Sequence, residues 1–203
     1  MKKLISIALV TTLIGGCATA PPAPVVPFPS HEQWILLYEL PYKPGTSKTP
    51  ITVPAGFVTD YASIPKSLWS FASPHGSYSE AAIVHDYLYW TQSCSRLQAD
   101  NIFLIAMKEA NVGAFKRWAI YRAVRGAGEN SWNANTRDFN AGLPRSVPEE
   151  QRRLSENSDW YAMQKTLATS GYHDVSVPKN LPYCALGDTT DVPSEISAVS
   201  SAQ

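Results

Sequence analysis

The spacing of apolar residues changes character several times along the chain. Positions 4–14 are almost continuously apolar, broken only by Ser6, Thr11 and Thr12. Prolines at 21, 22, 24, 27 and 29 follow, a density that favours extended polyproline II over packed structure. The aromatic and β-branched run 34–40, ended by Pro41 and the Pro44-Gly45 turn signal, predicts a strand. Ile51-Thr52-Val53 predicts a second strand, and Phe57-Val58 a short third beyond the Pro54-Ala55-Gly56 turn.

After Pro65 the period shifts from two to about 3.6. Pro65 suits the first position of a short helix over 65–71. Ser77 or Ser79 is placed to cap a helix that runs to about Thr91, and Ser95 to cap the next, which stops near Asn111-Val112-Gly113. A third helix, 114–125, is expected to end at Gly126-Ala127-Gly128, and a more polar one covers 149–169. No internal repeat is present. The pattern predicts an α+β domain over 31–192, a short N-terminal antiparallel sheet packed on a bundle of three to four helices, followed by a frayed tail at 193–203.

The first seventeen residues bear on location. Met1-Lys2-Lys3 is basic, the apolar run behind it is too short to span a bilayer, and Ile14-Gly15-Gly16-Cys17 places small residues before a cysteine. This arrangement resembles the bacterial lipobox, which implies that residues 1–16 are a cleaved signal, that Cys17 is acylated, and that 17–30 is a spacer. Acyl chains on Cys17 would hold the protein on a membrane, at about 0.8 kcal/mol per buried methylene. Ala18 stands where an Asp would suggest inner-membrane retention, so the resemblance implies the periplasmic face of the outer membrane. Lysine plus arginine and aspartate plus glutamate are equal at 17 each, which gives no global attraction to nucleic acid. A hydrophobic fraction of 44 % supports a real core. Setting Cys17 aside leaves Cys94 and Cys184, an even pair in a compartment that permits oxidation, to be read as a disulfide or as two thiols.

The densest chemistry surrounds His85-Asp86. His85 and Tyr89 share a helix face, with Asp86 about 100° further round. On the next helix Asp100 falls in a stripe with Leu97, Leu104 and Met107, where a carboxylate needs a partner. A connection over 92–95 makes the helices antiparallel neighbours and brings Asp100 towards His85 or Tyr89. A carboxylate on one imidazole nitrogen leaves the other free to take a proton. The alternative is a buried pair that only fixes helix register. The loop 56–65 adds Thr59, Asp60 and Ser63 between Gly56 and Pro65, suited to holding a ligand or to entering the next helix. Lys116, Arg117, Arg122 and Arg125 form a basic helix face, by default solvated. No Gly-x-Ser-x-Gly occurs, and His31, His75 and His173 lack ligand spacing to His85.

Residues 53–65, with Trp69, Pro74-His75-Gly76, 81–89, Ala99-Asp100 and Arg117-Trp118, resemble a bacterial and phage family catalogued as domain of unknown function 1353, over roughly residues 51–128. The resemblance implies a fold and a phage-linked ancestry but no activity. His85-Asp86-Tyr87-Leu88-Tyr89 with Ala99-Asp100 also resembles the His-Asp-x-x-Tyr helix and second Asp-bearing helix of the phospholipase A2 superfamily. That resemblance implies His85 as the base for an attacking water, Asp100 as its orienting group, Tyr89 as a brace for Asp100, and Asp86 as a Ca²⁺ ligand. Asp60 and a carbonyl near Gly56 would complete the calcium shell. The Gly-rich, Cys-containing calcium loop of that superfamily is missing. Two functions follow as expectations: a lipid-ester hydrolase acting on phospholipid, or a non-catalytic lipoprotein that binds an envelope or phage protein, as in superinfection exclusion.

Overall fold

In a computed structural model the chain is described over residues 23–30, 32–61 and 78–194. The leader 1–16, Cys17, the first part of the spacer, the helix expected over 65–71 and the end of the tail lie outside those residues.

Two small antiparallel sheets form the N-terminal part. β1 (Val25–Pro27), β2 (Trp34–Leu36) and β5 (Val58–Thr59) make the first, in the order β1-β2-β5, with Val25 opposite Leu36 and Trp34 opposite Thr59. β3 (Leu40–Tyr42) and β4 (Ile51–Val53) make the second, with Leu40 opposite Val53. The expected strand over 34–40 is therefore split: Leu37 makes a last bond to Pro24 O, Tyr38 turns out to solvent, and the chain enters the other ladder. The spacer expected to run to residue 30 is also corrected. Its second half pairs as β1, and Phe28 is buried against Ile35, Val58, Val147 and Trp160. Burying such a side chain stabilises by about 1.5–3 kcal/mol, which favours the sheet over a solvated polyproline segment. β2 is buried on both faces because Ile35 points to that cluster while Leu36 points to the main core.

The helices are α1 (Ser79–Thr91), α2 (Arg96–Glu109), α3 (Ala114–Asn140) and α4 (Trp160–Thr169). Ser95 caps α2 as expected, in a reciprocal capping box with Gln98, and Asn111 at φ 54 follows the end of the helix. α1 begins behind Tyr78 with no side-chain cap. α3 does not stop at Gly126 or Gly128. A buried face of Ile120, Val124, Gly128 and Asn135 runs through Gly128 and past the exposed Gly126, and its packing outweighs the roughly 1 kcal/mol that each glycine costs relative to Ala. The stop is Gly142 at φ +74, where Leu143 N–H closes back to Asp138 O. The helix expected over 149–169 is a 3-10 turn, Glu149–Gln151, and then α4, whose start is capped by Asp159 accepting from Ala162 N–H at 2.8 Å.

The core joins Leu36, Ile51, Val53 and Phe57 of the sheets to Ile83, Leu88, Phe103, Met107 and Ile120 of the helices. Of the expected stripe on α2, Asp100 and Met107 are sealed and Leu104 is half-buried, but Leu97 is 51 % exposed, and Ile102, Phe103 and Ile105 complete the buried face. Cys94 and Cys184 are disulfide-bonded across 90 residues, with Cα atoms 5.2 Å apart. The bond fixes the 3-10 segment Pro182–Asp188 on α2. There Asn101 Nδ2 donates to Gly187 O at 2.8 Å, and a Cβ on Gly187 would meet Gln98 O at 2.3 Å.

Candidate active site

α1 and α2 run antiparallel through the turn at 92–95, which sets His85 and Tyr89 opposite Asp100. His85 Nε2 lies 2.9 Å from Asp100 Oδ1, and Tyr89 Oη donates to the same oxygen at 2.6 Å. Arg125 Nη1 of α3 donates to Oδ2, and Arg96 Nη1, one turn before Asp100, is 3.6 Å from it. Asp100 is 0 % exposed and His85 2 %. Burial alone would raise the Asp100 carboxyl, but its bonds to His85, Tyr89 and Arg125 hold it below the ordinary carboxylate value, so it is ionised. Burial first, and then the charge of Asp100, pushes the Tyr89 phenol well above its usual value, which keeps it a donor.

An ionised carboxylate only accepts hydrogen bonds, so His85 donates to it from Nε2, and a neutral ring then carries its lone pair on Nδ1. Nδ1 is buried and has no hydrogen-bond partner among the described residues. His85 also lines a cleft of about 240 Å³ whose wall includes Asp86, Asp60, Asp138, Arg145, Asn135, Trp160 and Tyr161, with Ala123, Ala127, Gly128 and Ala134 of α3. Asp100 does not line it; it sits behind the ring. A basic nitrogen held in one tautomer at the wall of a cleft is the arrangement that general-base chemistry requires.

Asp86 Oδ2 accepts from Thr59 Oγ1 and, at 3.1 Å, from Asp60 N–H, so β5 is tied to α1. Asp60 pairs with Arg145 Nη2 at 3.5 Å. Arg145 also donates from Nε to Val58 O at 2.9 Å and from Nη1 to Asn135 Oδ1 at 3.1 Å.

Of the residues picked out in the sequence, His85, Tyr89, Asp86 and Asp60 are at the cleft and Asp100 directly behind it. Gly56 is not. At φ +91 it makes a turn where a Cβ would meet Val147 O at 2.3 Å, and its carbonyl accepts from Val147 N–H at 2.9 Å. The phospholipase resemblance would ask calcium oxygens of Gly56, Asp60 and Asp86. Gly56 O is already used, Asp60 faces Arg145, and calcium takes six to eight oxygens. Among the described residues no group of three or more His, Cys, Asp or Glu side chains is placed to hold a metal ion. Sequence reasoning missed Arg96 and Arg125 on Asp100, and Asn135, Arg145, Trp160 and Tyr161 in the cleft. The i,i+4 spacing of Arg96 and Asp100 was a usable signal. The cleft residues had none, because they meet His85 only through tertiary packing.

No helix of the described residues is long and apolar enough to cross a membrane. No solved structure matches the chain. A curated relative, uncharacterized protein y4jT of Sinorhizobium fredii, is 33 % identical over 90 residues, which is 43 % of this chain and 26 % of that protein. The chain thus aligns with about a quarter of the relative's length. Residues 34–124, which contain α1, α2, His85, Asp86 and Asp100, match the family described as protein of unknown function (DUF1353).

Proposed function

We propose that this domain is a hydrolase in which His85 activates water for attack on an ester of a membrane lipid. The observation that carries the reading is His85 lining the cleft with Nε2 held by Asp100 and Nδ1 without a partner among the described residues. In this scheme Nδ1 takes a proton from water, the hydroxide adds to the ester carbonyl, and the imidazolium returns the proton to the departing alkoxide. Acid and alcohol are the products. Asp100 stays ionised and steadies the imidazolium, and Tyr89 braces Asp100. The lipobox-like start supports placement near the substrate: acylation of Cys17 would hold the domain at the periplasmic face of the outer membrane. We route no step through calcium.

The test is phospholipid-ester hydrolysis by wild type, His85→Ala and His85→Gln, with calcium and with chelator, alongside melting curves. Loss of the base is expected to lower turnover by about 10²–10⁴-fold while at least one variant keeps a cooperative melt. Equal rates for wild type and a folded variant would overturn the reading in favour of the non-catalytic envelope lipoprotein. Turnover only with calcium would restore a metal role for Asp86.

A further inference from the structure

Phe115, Trp118 and Arg122 follow one another at spacings of three and four, which sets them on one face at the start of α3. Phe115 is 70 % exposed and Trp118 57 %, and their rings stack with centres 6.0 Å apart. Single exposed apolar residues need no explanation, but two stacked aromatics on one turn present a patch that water hydrates at a cost. The same turns are basic. From Ala110 to Gly128 the chain has no Asp or Glu, yet it carries Lys116, Arg117, Arg122 and Arg125. Arg125 is engaged with Asp100, and among the described residues no carboxylate pairs with the other three. Lys116 Nζ lies 5.2 Å over the Tyr78 ring, Arg117 donates to Val112 O at 2.9 Å, and Arg122 is exposed. Cations beside an exposed tryptophan suit the boundary of a bilayer, where phosphates meet apolar chains.

We propose that the start of α3 docks on an anionic phospholipid bilayer, with Phe115 and Trp118 at the boundary of head groups and acyl chains and Lys116, Arg117 and Arg122 on lipid phosphates. The path of the chain favours a bilayer at this end. The backbone N–H of Ala23 donates to the Glu80 carboxylate in the first turn of α1. Tyr78, directly before that turn, is the ring beneath Lys116. Ala23 and the basic face therefore share one end of α1. Ala23 is six residues beyond Cys17, a length that spans at most about 20 Å when extended. Acyl chains on Cys17 would thus hold a bilayer within about 20 Å of Ala23, in reach of this face. The charge and the exposed aromatics do not depend on that acylation, and the proposal goes beyond the hydrolase reading without resting on it. A second copy of the chain suits the face less well, because two such faces would set like charges against each other.

The test separates attachment by any route from docking by this face. The full chain is mixed with vesicles of zwitterionic phospholipid, with and without an anionic phospholipid, and flotation reports attachment. Quenching of tryptophan emission by lipids brominated on their acyl chains reports docking, since among the described residues Trp118 is the one exposed tryptophan. Quenching is expected on the anionic vesicles, and most of it should disappear in Trp118→Phe, which removes the reporter and keeps the face apolar. Lys116→Gln combined with Arg122→Gln should lower the ratio of docked to undocked protein at least about fivefold, with melting curves taken alongside. Flotation without quenching would leave the lipid anchor standing and overturn the docking. Quenching that survives in Trp118→Phe would place the contact elsewhere and overturn it, as would equal quenching on both kinds of vesicle or a double variant that docks like wild type. A dimer in detergent that Trp118→Ser dissociates, with no quenching on vesicles, would assign the face to a second copy instead. None of these outcomes bears on turnover by His85, so the two readings fail separately.

Discussion

The two edges of the His85 ring meet opposite surroundings. On the Nε2 side Asp100 is sealed, and its two oxygens receive His85, Tyr89 and Arg125, with Arg96 close by. On the Nδ1 side a buried nitrogen has no partner among the described residues, and His85 itself lines a cleft. Buried polar networks that serve only stability close on themselves, because an unmatched buried group costs about 1–3 kcal/mol. Here one edge of a ring is closed and the other left open. The closed edge fixes tautomer and orientation, and the open edge is where chemistry is available.

The largest effect should come from opening the closed side. Asp100→Ala would leave the His85 N–H and the Tyr89 hydroxyl buried without an acceptor and release two arginines. The expected loss is about 3–5 kcal/mol of unfolding free energy, read from urea denaturation. A loss below about 1 kcal/mol would mean that the hub is not closed in solution, and the contrast between the two edges would go with it.

The helix pair behind this contrast was legible. Periodicity, the Ser95 cap and a short turn are local signals, and together they force α1 and α2 antiparallel with Asp100 on His85. The disulfide was legible for a different reason, since setting aside the leader cysteine leaves two. The open side was not. It depends on α3 continuing past Gly126 and Gly128, and on Asn135, Arg145 and Trp160 returning from far along the chain. Two glycines are a local stop signal, and only the buried face crossing them overrides it. Arg125 was hidden likewise: a basic helix face reads as solvated until the facing carboxylate is known. Gly56 misled in the other direction. Its turn signal was right, but the turn serves the contact with Val147 and Arg152 rather than the cleft.

Those two glycines give the next test, a smaller one. A Cβ on Gly128 would lie 2.5 Å from Tyr89 Oη, while one on Gly126 meets nothing within 4 Å. Tyr89 is held by Asp100 and packed against Trp132 at 5.1 Å between ring centres, so it cannot swing away cheaply. Gly128→Ala is expected to lose about 1–3 kcal/mol through overpacking, whereas Gly126→Ala should gain about 0.5–1 kcal/mol from helix propensity alone. Melting temperatures that move the same way for both would show that the Tyr89 hydroxyl is not fixed where the closed side requires it.

The smallest effect is the acid limb of stability, and it tests the charge on which the contrast depends. The Asp100 carboxyl is depressed below its ordinary value near 3.8, burial opposing and His85, Tyr89 and Arg125 prevailing. A depressed folded-state value contributes stability that is complete above the unfolded value and is lost as pH falls through the folded one. The stability gap between wild type and Asp100→Asn should therefore be constant above about pH 5 and shrink as pH falls below about 4, in urea midpoints taken across that range. A gap that widens as pH falls would mean that the Asp100 carboxyl is raised in the folded protein, and so protonated, rather than depressed. A protonated Asp100 would donate to Nε2, move the imidazole proton to Nδ1, and turn the open edge of His85 from an acceptor into a donor. The base would then be lost, so this modest measurement bears on everything inferred from the open side.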